Sequence, residues 1–195
     1  MDKENLRDRL DLSGAVMKLE DRQVRSRLSF IFQLAIAVVF GALVALMFFG
    51  SVTMQENSME PAVKVGDTFL MNQFIYRFQQ PERGDIIVYR TSGSDDAALH
   101  ISRVIALPGE TIRIANGRIY IDEVLFQENN AYPSISNPGL AADGVDVQSE
   151  EYFVLGDNRN NSEDSRYSSI GNVKRKYIVG KLWFQTAPRE EVGLL

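Results

Sequence analysis

Ser58 lies in Asn57-Ser58-Met59-Glu60-Pro61, eight residues past the end of a long apolar run that closes at Gly50. A hydroxyl beside a methionine and a rigid proline, at the start of a β-rich region, is a candidate fixed nucleophile for acyl transfer. The plain alternative is that a serine near a proline is simply a turn residue. A second polar run, Gly156-Asp157-Asn158-Arg159-Asn160-Asn161-Ser162-Glu163-Asp164-Ser165-Arg166, follows directly on Tyr152–Leu155. Asp164 and Arg166 are spaced to pair with each other or brace a neighbouring loop, and Ser162 to orient a buried amine or imidazole; the alternative is a solvated loop. Pro81–Tyr89 reads as a charged turn entering an apolar strand. An attacking serine needs a base, and the chain offers one imidazole, His100, and no cysteine. Thiolate catalysis, disulfides and thiolate metal sites are thereby excluded, and a lone histidine does not build a His-rich zinc site. No metal or cofactor is expected. A net charge of -5 and a pI near 5.0 provide no basic field, which excludes nucleic acid as a partner.

The elements that must position these groups begin with Leu28–Gly50, a stretch without a charge in which Ser29 and Gln33 are the clearly polar residues. At about 1.5 Å per residue it is long enough to cross about 30 Å of hydrocarbon, so the lipid bilayer is an expected partner. A buried core helix and a cleaved signal peptide are the alternatives, but a signal peptide's apolar core is usually about 7–15 residues and ends on small residues. Lys18, Arg22, Arg25 and Arg27 precede the span, and no Lys or Arg follows it until Lys64. The positive-inside rule therefore assigns residues 1–27 to a cytoplasmic tail, 28–50 to a transmembrane anchor and 51–195 to an extracytoplasmic domain.

That outer domain reads as mainly β. Thr68–Asn72, Asp85–Arg90, His100–Leu107, Thr111–Ala115, Arg118–Ile121, Tyr152–Leu155 and Ile178–Phe184 are rich in Val, Ile, Tyr and Phe and are predicted strands. Asn116-Gly117 predicts a tight hairpin with positive φ at both central positions, and Gln127–Glu150 predicts a long irregular loop. Trp183 and Phe184 suit either the membrane interface or the core, and the core is the expected place. Short strands with non-local pairing predict antiparallel sheets that fold over themselves.

Four segments in order, Ser58-Met59-x-Pro61, Arg83-Gly84-Asp85-Ile86, Arg103-Val104-Ile105-x-Leu107-Pro108-Gly109-Glu110 and Gly156-Asp157-Asn158-Arg159-x-x-Ser162-x-Asp164-Ser165-Arg166, resemble the type I signal peptidases, the S26 family of membrane serine proteases. The resemblance spans residues 28–184. It implies coiled antiparallel β-sheets behind one N-terminal transmembrane helix and removal of signal peptides from preproteins by a membrane-bound serine endopeptidase. It also implies a Ser-Lys dyad in which a buried, neutral lysine takes the serine proton. By position Ser58 matches the nucleophile, Ser162 the hydroxyl that orients the lysine, and Asp164 and Arg166 a supporting ion pair.

The chain departs from that pattern twice. The family's lysine directly precedes the arginine that here is Arg103, and the residue there is Ser102, which is no base near neutral pH. His100 lies two residues earlier, on the same strand face at a Cα separation of about 6.6 Å, and is the candidate base, with Lys64 as another amine in reach of consideration. Glu56 stands where many relatives carry Ser or Gly, two residues before the nucleophile, and its carboxylate opposes an oxyanion forming nearby. The alternative to an active protease is a relative that keeps the fold and binds signal peptides or partner proteins without cutting them.

Overall fold

The computed structural model describes residues 24–44, 49–94, 97–128, 132–188 and 192–194. Most of the predicted tail, residues 1–23, lies outside the described residues. The chain divides into two compact units, residues 1–47 and 48–195.

In the first unit, Val24–Val44 forms one helix (α1), long and apolar enough to cross a membrane. Phe30, Phe32, Val38 and Phe40 are each more than 60% exposed. Apolar side chains exposed on every side suit a helix whose solvent is hydrocarbon. Phe49 and Gly50, at the end of the predicted anchor, belong to a strand.

The second unit is built from antiparallel sheets. The larger has β1 (Phe49–Thr53), β2 (Thr68–Asn72), β3 (Ile86–Arg90), β4 (Leu99–Ala106), β9 (Glu151–Leu155), β10 (Val173–Lys174), β11 (Ile178–Ala187) and β12 (Gly193–Leu194), in the order β1-β2-β11-β3-β4-β9-β10 with β12 on β11. The smaller runs β7-β6-β5-β8, from β5 (Thr111–Ala115), β6 (Arg118–Ile121), β7 (Val124–Leu125) and β8 (Val145–Asp146). Each predicted strand is found; Thr68–Asn72, Thr111–Ala115 and Arg118–Ile121 keep their predicted bounds, and the ends of the others shift by one to three residues. The β5–β6 turn has φ 51° at Asn116 and 74° at Gly117, as a type I′ turn demands. The predicted loop Gln127–Glu150 holds one 3₁₀ turn, Gly139–Ala142, and β8. Trp183 is 43% exposed while its neighbour Leu182 is buried; strand alternation sends Trp183 outward, against the expectation that it fills the core.

β4 shows how the sheet distributes its contacts. Ile101 joins one apolar cluster with Met59, Phe69, Val88 and Leu182. Val104, on the other face, joins Ile87, Tyr89, Tyr152 and Val154. A register shift against β9 between Val104 and Ala106 re-aims Ile105 and Ala106 toward a third cluster with Phe153 and the β5–β6 hairpin. Although β2, β11 and β3 separate β1 from β4 in strand order, residues of β1 and the start of β4 line one groove of about 470 Å³. The sheet therefore rolls over until its β1 end faces the head of β4.

Candidate active site

Ser58 sits in a turn between β1 and β2, 6% exposed. Its neighbour Met59 is fully buried among Phe69, Val88 and Ile101, and such a side chain contributes about 1.5–3 kcal/mol. Val63 N–H donates to the Met59 carbonyl at 2.9 Å, closing the turn around that anchor.

The Gly156–Arg166 segment grips the same turn from the other side. The Asn158 backbone N–H donates to the Ser58 carbonyl at 3.0 Å. The side-chain amides of Asn158 and Asn161 donate to the Asn57 carbonyl and the Asn57 Oδ1, both at 3.0 Å. A methyl group on Gly156 would come within 2.5 Å of the Ser58 carbonyl oxygen and nearer still to the Ser162 Cβ. Only glycine lets this backbone pass so close to the Ser58 carbonyl and the Ser162 side chain.

Beneath that contact the polar groups are saturated. Ser162 Oγ donates to Asp164 Oδ2 at 2.7 Å and accepts from Arg166 Nη2 at 3.0 Å. Arg166 forms a two-pronged pair with Asp164, Nε to Oδ1 and Nη2 to Oδ2, both 2.8 Å. Both side chains are buried. Gly156 N–H also donates to Asp164, and the Arg166 Nη1 donates to the Asn137 carbonyl at 3.1 Å. Asp157, fully buried, takes Arg103 in a second bidentate pair at 2.8 and 2.6 Å, which clamps β4 beside Ser102 to the loop that holds Ser58.

On β3 and β4 the pairing sets Ile87 opposite Ser102 and Tyr89 opposite His100. Ser102 is 2% exposed, and its Oγ shares a hydrogen bond of 3.3 Å with the Tyr89 hydroxyl. The His100 ring, half-buried, stacks on the Tyr89 ring at 5.6 Å between centroids and 27° between planes. Burial pushes the Tyr89 phenol well above its ordinary value near 10. Its bond to Ser102 works the other way, and the Asp164 and Glu56 carboxylates add to the rise. Tyr89 is thus a neutral hydroxyl that feels both the Asp164 and the Glu56 carboxylates.

The sequence-predicted residues therefore fall into two groups. Ser58, Ser162, Asp164 and Arg166 converge around Gly156; His100 and Ser102 share the β4 face with Tyr89. Among the described residues, no hydrogen bond joins the Ser58 hydroxyl to His100 or Ser102. Lys64 is exposed, and its backbone N–H donates to Asp67 at 2.9 Å. Tyr89, Gly156 and Asp157 lie in segments singled out from the sequence, but the sequence assigned none of them a role of its own. The signal for Tyr89 was the β3–β4 register, which two adjacent strands leave open by several residues. A cavity of about 610 Å³ lies beside Asn116–Ile119 and Leu125–Glu128, and none of these groups is among its lining residues.

The profile of the family described as signal peptidase, peptidase S26, matches residues 27–186. A probable signal peptidase I-2 of Synechocystis is 35% identical over 71% of this chain, and the match spans 63% of that relative's own length. A signal peptidase I P of Bacillus subtilis subsp. natto is 31% identical over 83% of this chain and 89% of its own. A crystal structure of a signal peptidase I from Enterococcus faecalis V583 matches 53% of this chain and 97% of that one at 31% identity, with a TM-score of 0.43.

Proposed function

The chain belongs to the signal peptidase family, peptidase S26, and from that premise we propose that it is a membrane-anchored serine endopeptidase that removes signal peptides from preproteins, with Ser58 as nucleophile. The observation that carries this reading is the convergence on Gly156, where the Ser58 carbonyl and Ser162 approach too closely for any side chain above the Asp164–Arg166 pair. So many directed bonds on one small turn fix a serine as a reaction needs it fixed.

In the proposed reaction the Ser58 oxygen attacks the scissile carbonyl as its proton passes to a base; the base returns that proton to the departing amine as the peptide C–N bond breaks, and water then hydrolyses the acyl-enzyme and restores the Ser58 hydroxyl. His100 is the proposed base: an imidazole on the strand that borders the groove, held flat by Tyr89. The helix Val24–Val44 is the proposed anchor, with the N-terminal tail in the cytoplasm and the β unit outside. The substrate enters extended, between the exposed edges of β1 and the head of β4.

A second reading rests on a specific observation. Ser102, matched by the resemblance to the family's lysine, shares a hydrogen bond with the Tyr89 hydroxyl, which favours a wall of neutral hydroxyls in place of an amine. A relative so equipped holds a signal peptide without cutting it. The test is cleavage of a preprotein by the purified, detergent-solubilised chain beside Ser58→Ala, His100→Ala and Ser102→Lys. Loss of activity in both alanine variants supports the Ser58 and His100 pair. An inactive natural chain that gains activity as Ser102→Lys establishes the second reading and sinks the first.

A further inference from the structure

The groove between β1 and the head of β4 carries the Glu56 carboxylate. Its walls include Thr53, Gln55, Glu56, Ala98, Leu99 and Ile101, and among the described residues that line it only Glu56 is ionisable. The Glu56 side chain is exposed, and among the described residues it forms no ion pair and no hydrogen bond. Val52, Met54 and Ile101 make much of the remaining surface apolar, so a counter-charge there is less screened than on an open face. The groove is also bordered by two strand edges. Among the described residues β1 pairs with β2 alone, and Leu99–Ser102 pair with β3 on one side while β9 starts opposite Arg103 on the other. A peptide laid along such edges is extended and advances about 3.3 Å per residue.

We propose that Glu56 is a specificity determinant, selecting a substrate with a Lys or Arg side chain within about two residues of the bond attacked by Ser58. Glu56 precedes Ser58 by two residues in the bend that follows β1, so the two Cα atoms are at most about 7 Å apart, and its carboxylate is within reach of substrate side chains that close to the scissile bond. Without such a cation the carboxylate opposes the oxyanion that forms as Ser58 attacks; with it, the charge is matched. The inference rests on the reading of Ser58 as the nucleophile facing this groove.

The test uses one signal-peptide sequence synthesised with Lys, Gln or Glu at each position from three residues before the scissile bond to two after it. Cleavage by the full chain in detergent is measured as kcat/KM, together with Kd for the same peptides on the Ser58→Ala chain. At one position the Lys peptide is expected to exceed the Glu peptide by about tenfold at low salt, with the ratio shrinking as salt is added. In Glu56→Gln the ratio collapses toward one, and in Glu56→Lys it inverts, a reversal that a merely structural role does not produce. Equal values for the three peptides, or a ratio untouched by Glu56→Gln, overturns the proposal. The two measurements separate its fate from that of the protease: cleavage without charge preference sinks the Glu56 inference alone, whereas preference in Kd without cleavage sinks the endopeptidase and leaves Glu56 standing.

Discussion

The Gly156–Arg166 corner and the β3–β4 wall flank the same serine turn and are built differently. In the corner, Asp164 accepts five hydrogen bonds, two from the Arg166 guanidinium, one from Ser162 and two from backbone amides, and Asp157 takes Arg103 at two points. On the wall, Tyr89 and Ser102 share one neutral bond of 3.3 Å beside the stacked His100 ring, on a face whose other packed side chains are mostly apolar. Charge-assisted bonds in a buried setting are strong when complete and costly when one member is lost. A pair of neutral hydroxyls is worth about 1 kcal/mol. The contrast teaches that Ser58 is positioned by the corner, whereas the group that would activate it sits on a wall whose polar content is cheap to change.

The largest effect expected is therefore in the corner. Arg166→Met leaves Asp164 buried without its cation and should destabilise the β unit by about 3–5 kcal/mol, read by urea unfolding in detergent. A loss under 1 kcal/mol would put the corner on the same footing as the wall and end the comparison. Gly156→Ala comes next. Its methyl meets the Ser58 carbonyl at 2.5 Å, and overpacking of this kind costs about 1–3 kcal/mol. Because the displaced atoms belong to the Ser58 turn, preprotein cleavage should fall about a hundredfold, and an unchanged rate would show that the corner does not position Ser58.

The corner was also the more legible region. The spacing of Asp164 and Arg166 suggested a pair because both residues lie in one short segment, where geometry is local. Thr111–Ala115 and Arg118–Ile121 were legible for the same reason: Asn116-Gly117 fixes the hairpin between them. What the sequence did not display were facts of register and approach. Tyr89 faces His100 only once β3 and β4 are aligned, and a slip of one residue sends either ring to the opposite face. Gly156 reads as one turn residue among many until Ser58, some hundred positions earlier, is folded against it. β1 was hidden because Phe49 and Gly50 end an apolar run that composition alone assigns to a span, while pairing with Met71 and Asn72 makes them strand. β8 and β10, two residues each, are too short to show a period.

The smallest effect sharpens the wall itself. Tyr89→Phe keeps the ring that stacks on His100 and removes only the hydroxyl that meets Ser102, so at neutral pH it should cost about 1 kcal/mol. The pH dependence is more telling. Burial raises the Tyr89 phenol in the folded chain above its ordinary value near 10, so the folded state holds that proton more tightly than the unfolded state does. The stability linked to it is complete below pH 10 and is lost as pH climbs from 10 toward the raised folded value, at up to about 1.4 kcal/mol per pH unit. Tyr76, raised by burial and by the Asp85 carboxylate its hydroxyl donates to at 2.9 Å, adds a loss of the same sign. Urea unfolding between pH 9 and 11 should therefore fall less steeply for Tyr89→Phe than for the natural chain. Equal slopes would mean that Tyr89 is reached by water and ionises where it stands, and the wall would then hold a solvated phenol in place of a closed hydroxyl pair.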